Sequence, residues 1–166
     1  AREMCQNGSI GNLRVIQVEY AQDWLTLPIE NEGQKQASWR TDPSKAGMGG
    51  SIGDIGSHAF NLADFITGAK LTELCADISS FVEGRKNDDN AHVLLRYENG
   101  VKGMLWSSQV APGNENALKI RIYGDKGGLE WEQENPNYLR VDIFGEAKKI
   151  IRRAGNETID IAGRVT

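Results

Sequence analysis

Polar and apolar residues alternate with a period of two through most of the second half of the chain. The same pattern occurs once near the start, over residues 13–20, where Val15, Ile16 and Val18 supply β-branched side chains. Alternation of this kind predicts strands that bury one face and expose the other. The strands predicted after residue 70 span 71–82, 91–98, 101–109, 117–123, 129–133, 138–144 and 147–152, and a last strand-like segment covers 157–161.

Turn-forming residues separate these strands. Asn99-Gly100, between two apolar runs, is the strongest short signal of a hairpin. Further turns are predicted at Gly124-Asp125-Lys126-Gly127 and at Pro136-Asn137. We therefore expect consecutive hairpins, and hence an antiparallel meander. In the strand 117–123 the predicted core face is Leu118, Ile120 and Ile122, and the opposite face is Lys119, Arg121 and Tyr123.

A helical period replaces the alternation between residues 54 and 67. Apolar side chains recur there at helical spacing, and Gly68 stands where helices commonly end. These side chains are Ile55, Ala59, Leu62, Ala63 and Ile66. A shorter helix is predicted over 1–6, ended by Asn7-Gly8. The expected fold class is α+β: an open, mostly antiparallel β-sheet with the long helix packed on one face.

Residues 21–53 show neither period. They are rich in Gly, Pro and polar residues, yet they contain Trp24 and Trp39. Irregular segments of this length are usually functional or disordered, and the two tryptophans argue against disorder. The aromatic planes of Trp24 and Trp39 and the forked guanidinium of Arg40 would suit a sugar ring and its hydroxyls. Simple anchoring of the loop explains all three residues about as well.

The composition narrows the classes of function. A net charge of −4, with no run of Lys or Arg longer than two, does not fit nucleic-acid binding. No apolar run approaches the roughly 20 residues that cross a bilayer, and the N-terminus lacks the apolar stretch of a signal peptide. We expect one soluble, cytoplasmic domain that binds neither nucleic acid nor a membrane. Cys5 and Cys75 match no metal or redox motif and are predicted to be free, buried or half-buried thiols.

The clearest candidates for chemistry are Asp54 and His58, at the point where the glycine-rich run 47–53 becomes the helix. Residues at i and i+4 share a helix face, with about 5–6 Å between them. Asp54 could therefore orient His58, or both could meet one substrate hydroxyl. An N-cap and an ordinary histidine explain the spacing about as well. The glycines favour a place where another group must come close.

Other motifs add no site. Gly49-Gly50-Ser51-Ile52-Gly53 matches the nucleophile pattern G-x-S-x-G, but no strand leads into it, so we interpret the match as accidental. A metal at Asp54 and His58 would need a third ligand, and His92, the other histidine, reads as an ordinary sheet residue. We predict no metal site. Neither G-x-G-x-x-G after a strand nor a P-loop occurs, so we predict no cofactor-binding residue in this chain.

Taken in order, the motifs resemble the C-terminal domain of the Gfo/Idh/MocA oxidoreductases. The resemblance rests on the GG-x-x-x-D-x-G-x-H segment of residues 49–58, on Gly68 and on later motifs, and it spans nearly the whole chain. The later motifs are Asp88-Asp89, Asn99-Gly100, SQVAPGNEN of 108–116 and IYGDKG of 122–127. The resemblance implies that residues 1–166 are a substrate-binding and dimerisation domain. The family's N-terminal Rossmann domain and the C-terminal end of its chain are not in this sequence, so we expect a fragment cut at both ends.

The resemblance also implies roles. Members of the family are NAD(P)-dependent dehydrogenases that act on sugars, inositols and related polyols. His58 matches the family's acid/base histidine and Asp54 its partner carboxylate, while Trp24 and Arg40 fall in the segment that helps form the sugar pocket. NAD or NADP is implied as the cofactor of the full-length protein, held mainly by the Rossmann domain. A homo-oligomer formed through the sheet is implied as well, and we expect the fragment alone to be inactive.

Two functions of other classes stay open from the residues. A non-catalytic carbohydrate-binding or oligomerisation module would bind sugar without depending on Asp54 or His58. A metal-assisted hydrolase would carry stoichiometric zinc.

Overall fold

A single open sheet is the main element of the fold. The computed structural model describes residues 1–155, and within them the strands lie in the order β2-β3-β4-β1-β5-β6-β7-β8. Apart from one parallel pair, neighbouring strands are antiparallel. The strands are β1 (Leu13–Ala21), β2 (Leu71–Ser79), β3 (Asn90–Tyr97), β4 (Lys102–Ser108), β5 (Ala117–Gly124), β6 (Gly127–Glu132), β7 (Tyr138–Ile143) and β8 (Lys149–Arg152). The predicted α+β class with an open, mostly antiparallel sheet is confirmed.

The predicted meander is wrong at one place. β1 lies between β4 and β5, parallel to β4 and antiparallel to β5. Residues 109–116 join β4 to β5, so the connection is longer than a tight turn. The two strands can therefore lie apart, and β1 pairs with both of them. The core side chains of β1, Ile16, Val18 and Tyr20, are buried in that central position. From β5 onward each strand pairs with the next, as predicted.

The hairpin at Asn99-Gly100 is confirmed. Both residues have positive φ, 59° and 80°, a conformation that Gly and Asn adopt more readily than other residues, and the loop between the bonded residues Tyr97 and Val101 is residues 98–100. The turn joins β3 to β4, whose residues pair from Asn90 opposite Ser108 to Arg96 opposite Lys102.

The helical segments are α1 (Arg2–Gln6), α2 (Lys35–Arg40), α3 (Pro43–Ala46) and α4 (Ser57–Thr67). A 3-10 turn covers Ile29–Glu32, and a π-helical turn covers Ile52–Gly56 and runs directly into α4. The irregular segment expected over 21–53 therefore contains short helices that its composition did not predict. Gly68 ends α4 with φ 63°, as expected.

The core lies between the sheet and α4. The helix buries Ala59, Ala63 and Ile66, and the preceding turn buries Ile55. The sheet contributes the predicted face of β5, whose Leu118, Ile120 and Ile122 are 7%, 2% and 1% exposed. Alternate residues of β3 join them, namely Val93, Leu95 and Tyr97. One long helix on one face of the sheet is confirmed.

Three smaller expectations have different outcomes. Cys5 is half-buried and free as predicted, whereas Cys75 is exposed because β2 is an edge strand that α4 does not cover. The strand-like segment 157–161 lies outside the described residues. Within those residues, no helix has the length and apolar character needed to span a membrane.

Candidate active site

The site is built around the first turn of the long helix. The carboxylate of Asp88 receives three hydrogen bonds there, from the backbone N–H of Gly50 at 2.6 Å, the hydroxyl of Ser51 at 2.8 Å and the backbone N–H of Ile52 at 2.8 Å. A carboxylate at this position satisfies N–H groups that have no partner inside the helix and opposes the positive end of the helix dipole. Asp88 therefore caps the helix, and Asp54, which was one N-cap candidate, does not.

Two glycines let this helix start press against the sheet. A Cβ on Gly50 would lie 1.9 Å from the carbonyl oxygen of Asp88, and a Cβ on Gly56 would lie 2.7 Å from Cδ1 of Ile52 and 3.2 Å from the hydroxyl of Ser107. The expected close approach at the glycines is therefore between parts of this chain. Its result is that the π-helical turn is held against β4.

The predicted site residues come together at one cleft of about 480 Å³, which includes Trp24, Arg40, Asp54 and His58 in its walls. Asp54 comes from the π-helical turn and His58 from α4, so one wall is the helix start. Trp24 and Arg40 come from the segment between β1 and that turn and form the facing wall. π-Helical turns are rare and occur frequently at functional sites.

Asp54 is fixed by two donors. Its Oδ2 accepts a hydrogen bond from Nε2 of Gln109 at 2.8 Å and another from Nε of Arg40 at 3.2 Å. No hydrogen bond joins the Asp54 carboxylate to His58 among these contacts. Both expected arrangements, Asp54 orienting His58 and both side chains meeting one substrate hydroxyl, therefore stay predictions.

The imidazole of His58 is exposed and makes no hydrogen bond within the described residues. Its ring lies edge-on to the ring of Tyr20, with 6.4 Å between the ring centroids and 63° between the planes. The Tyr20 hydroxyl donates to Oδ1 of Asn116 at 2.6 Å and so is already engaged. Both ring nitrogens of His58 are therefore available to a molecule in the cleft.

Arg40 lies between two aromatic rings on the facing wall. Its guanidinium carbon is 4.5 Å from the ring centroid of Trp39 and 5.8 Å from that of Trp24. Its Nη1 also donates to Oε1 of Gln36. Arg40 thus contacts Asp54, Gln36 and the aromatic rings. Because Asp54 lies on the other wall, Arg40 links the two walls of the cleft.

A buried ionic cluster anchors the facing wall to the sheet. The guanidinium of Arg85 donates to both carboxylate oxygens of Glu30, each at 3.0 Å, to Oδ2 of Asp89 at 3.1 Å and to the carbonyl of Leu25 at 2.9 Å. Burial raises the pKa of Glu30, but the hydrogen bonds and charge of Arg85 outweigh it, so the pKa lies below its ordinary value. The cluster joins the segment after Trp24 to the connection between β2 and β3.

Two other readings of the motifs find no support in the geometry. The hydroxyl of Ser51 is fully buried against Asp88, so a nucleophile there could not reach a substrate. No three His, Cys, Asp or Glu side chains of residues 1–155 are grouped so that they could hold a metal ion.

Comparisons with known proteins show which family the chain belongs to. Residues 1–130 match the model of the GFO/IDH/MocA C-terminal domain. The chain is 36% identical over 157 residues to an uncharacterized oxidoreductase, YfiI, of Bacillus subtilis. The alignment covers 92% of this chain and 39% of that protein. This chain belongs to the Gfo/Idh/MocA family.

Solved structures of the Gfo/Idh/MocA family share the fold. An inositol dehydrogenase homolog from Azotobacter vinelandii, in complex with NAD⁺, is 34% identical, with a TM-score of 0.92 over 97% of this chain and 42% of that one. A levoglucosan dehydrogenase from Pseudarthrobacter phenanthrenivorans is 26% identical, in an alignment that covers 85% of this chain and 40% of that protein. The chain thus spans about two fifths of the length of these relatives.

A nicotinamide dinucleotide, which the Gfo/Idh/MocA family implies, needs a cradle for its phosphates. The N–H groups of Gly50 and Ile52 at the helix start are the natural candidates, but the carboxylate of Asp88 already occupies them. This helix start therefore does not fit the phosphates of the cofactor, and the prediction of no cofactor-binding residue in this chain remains a prediction.

Sequence reasoning missed Asp88, Arg85 and Gln109. Asp88 belongs to a motif of the resemblance, but nothing in the sequence indicated that it reaches Gly50, 38 positions away. Gln109 reaches Asp54 across 55 positions. The available signal was that Asp88 and Gln109 belong to motifs of the resemblance, Asp88-Asp89 and the segment 108–116, whereas Arg85 belongs to none of them.

Proposed function

We propose that this chain is the substrate-binding and catalytic half of an NAD(P)-dependent dehydrogenase that oxidises a hydroxyl of a sugar, inositol or related polyol. The observation that supports it best is the cleft in which Asp54 and His58 face Trp24 and Arg40. In this proposal His58 is the acid/base, Asp54 supports it, and Trp24 and Arg40 bind the substrate.

His58 suits the removal of a hydroxyl proton. Oxidation of a carbinol requires that the hydroxyl lose its proton, and a histidine side chain titrates close enough to neutral pH to accept it. The imidazole is exposed in the cleft and carries no competing hydrogen bond among the described residues. The ionised carboxylate of Asp54, on the same wall, would favour the imidazolium that forms.

The facing wall suits an uncharged ring with several hydroxyls. Trp24 offers an aromatic face of the kind that packs on the C–H side of a sugar, and its indole N–H is held by Oε1 of Gln22 at 3.1 Å. Amide side chains of Gln22, Gln34 and Gln36 line the same cleft and supply both donors and acceptors. Among the relatives, one is named a levoglucosan dehydrogenase and another a myo-inositol 2-dehydrogenase.

The cofactor belongs to a part of the protein outside this chain. When bound, NAD or NADP would accept the hydride from the carbinol carbon. The related inositol and levoglucosan enzymes are described in complex with NAD⁺ or NADH. The assignment of residues 1–166 as one substrate-binding and dimerisation domain is part of this proposal.

The test uses the full-length protein with NAD and NADP and a panel of sugars, inositols and anhydrosugars. His58→Ala should lower kcat by about 10²- to 10⁴-fold, and added imidazole should restore part of the rate, since it can carry the same proton. Asp54→Asn should also lower kcat. Asp64→Asn is its matched control, because Asp64 is an exposed carboxylate on α4 outside the cleft.

The outcomes separate the functions. Full activity in His58→Ala would contradict the catalytic assignment. Sugar binding without oxidation in the wild-type protein, unchanged in both site variants, would instead favour a carbohydrate-binding module.

The proposal includes a homo-oligomer formed through the sheet face opposite α4. On that face Leu94 of β3 and Met104 of β4 lie directly opposite each other and are 63% and 46% exposed. Leu94→Glu should convert an oligomer into monomers, and the molar mass in solution would show it. The expected cytoplasmic location stays a prediction that cell fractionation would test.

A further inference from the structure

We propose that Gln109 is a positioning residue that turns the Asp54 carboxylate so that only its Oδ1 is open to the substrate. The inference rests on the proposed function, because it assigns a partner to the carboxylate of that same site. Gln109 does not line the cleft, and its side chain acts on the reaction only through Asp54.

The position of Gln109 is set by its own backbone. Gln109 directly follows β4, its N–H donates to the carbonyl of Asp89 at 2.9 Å, and its carbonyl accepts from the N–H of Leu25 at 3.0 Å. The residue is 2% exposed. A long side chain normally has several rotamers open to it, but burial and these bonds on both sides leave the Gln109 amide directed at Asp54.

The two donors on Asp54 meet the same oxygen. Both Nε2 of Gln109 and Nε of Arg40 donate to Oδ2, at 2.8 Å and 3.2 Å. Oδ1 makes no hydrogen bond within the described residues. The carboxylate is therefore held by one oxygen, and the other is free to accept from a substrate hydroxyl or from the imidazolium of His58.

Gln109 is the better placed of the two donors for this role. Arg40 is about 29% exposed and also donates to Gln36, so its guanidinium is shared with other groups and with solvent. The amide of Gln109 is shielded from water, and a hydrogen bond to a charged acceptor is stronger in such a place. A neutral donor also adds no charge to the site.

The chemistry of the amide matters because an acid of the same shape would act differently. A carboxyl at position 109 could donate to Asp54 only while one proton is shared between the two groups. Once that proton leaves, two like charges face each other. The other charged or titratable groups that line the cleft with Asp54 are Tyr20 on β1, Arg40 on α2, His58 on α4 and Glu115 before β5.

The experiment compares Gln109→Glu and Gln109→Leu in the full-length protein, with the polyol that the wild type oxidises best. Gln133→Glu, at the end of β6 and away from the cleft, is the matched control for the added charge. The measurements are kcat and KM as functions of pH. Thermal unfolding shows that each variant is folded, and crystal structures show the direction of the Asp54 carboxylate.

Gln109→Leu should lower kcat by about 10- to 100-fold, the usual effect of losing a hydrogen bond to a charged group, with KM changed by less than about threefold. Gln109→Glu should add a descending limb to the kcat profile, at a pH where the wild type and Gln133→Glu still hold their activity. Loss of packing alone would lower kcat by the same factor at every pH.

A Gln109→Glu profile that superimposes on the wild type would overturn the inference. So would a crystal structure of Gln109→Leu in which the Asp54 carboxylate keeps its direction. That structural readout needs no turnover, so it still decides about Gln109 if the wild type oxidises no polyol, a result that would instead contradict the proposed function.

Discussion

Two networks of charged side chains lie on the sheet, and they differ in burial. The buried cluster (Arg85, Glu30 and Asp89) has side chains that are 1%, 13% and 0% exposed. The surface ladder joins Glu130 of β6 to Lys119, Arg121 and Arg140, whose side chains are 22–58% exposed. The pairs in both have similar N–O distances, from 2.9 to 3.3 Å.

Equal distances do not mean equal importance. Exposed ion pairs contribute about 0–1 kcal/mol, because water screens them and long side chains lose freedom when they pair. Breaking a buried pair costs about 3–5 kcal/mol, because it leaves a charge without a partner or water. The buried cluster therefore holds one wall of the cleft in place. The surface ladder adds little stability to strands that are already paired through their hairpins.

The largest expected effect is that of Arg85→Ala. It leaves the carboxylates of Glu30 and Asp89 without their cation, so we expect the free energy of unfolding to fall by about 3–5 kcal/mol. Glu130→Ala is the counterpart in the surface ladder, with an expected loss of about 1 kcal/mol or less. Urea unfolding of the two variants measures both. Equal losses would show that burial does not separate the two networks.

The next effect extends the comparison from side chains to backbone. Gly50→Ala places a methyl group 1.9 Å from the carbonyl oxygen of Asp88, so backbone must shift, at a cost of about 1–3 kcal/mol. At Gly53, three residues on, a Cβ meets nothing within 4 Å and φ is not positive. Gly53→Ala should therefore leave the melting temperature unchanged or raise it slightly. A similar loss in both variants would contradict a tight contact confined to the helix start.

A change of pH tests the buried cluster through the charge of Glu30. The pKa of Glu30 lies below its ordinary value of 4.5, because the hydrogen bonds from Arg85 outweigh burial. Its ionised form therefore stabilises the fold above pH 4.5, and this contribution disappears as the pH falls through the lowered pKa. Glu30→Gln should be less stable than the wild type at pH 7, by about 1–3 kcal/mol.

The difference between Glu30→Gln and the wild type should shrink as the solution is acidified. Thermal unfolding between pH 7 and pH 3 measures it. A gap that stays constant over this range would mean that Glu30 contributes by its shape and not by its charge.

Local pattern was enough to predict the sheet from β5 onward. Each of those strands pairs with its neighbour in sequence, so alternation and turn residues contain most of the information. The place of β1 could not be read in this way, because its partners are separated from it by roughly a hundred residues of chain. Nothing within the segment 13–20 distinguishes a central strand from the first strand of a meander.

The candidate site shows the same division. Asp54 and His58 were found from their spacing beside a glycine run, and Trp24 and Arg40 from their residue types in an irregular segment. The residues that hold them in place were not found, since Gln109 reaches Asp54, and Asp88 reaches Gly50 at the start of the same turn, from positions far along the chain. The π-helical turn was also missed, because the wider turn leaves the order of apolar residues close to that of an α-helix.

The two walls of the cleft have separate anchors. Arg85 holds the segment that follows Trp24, and Asp88 holds the turn that bears Asp54. Residues 31–39 lie between the two anchors and contribute Gln34 and Gln36 to the cleft. If the proposed function holds, a library of variants confined to that stretch would therefore change the lining of the cleft while Asp54 and His58 themselves stay unaltered.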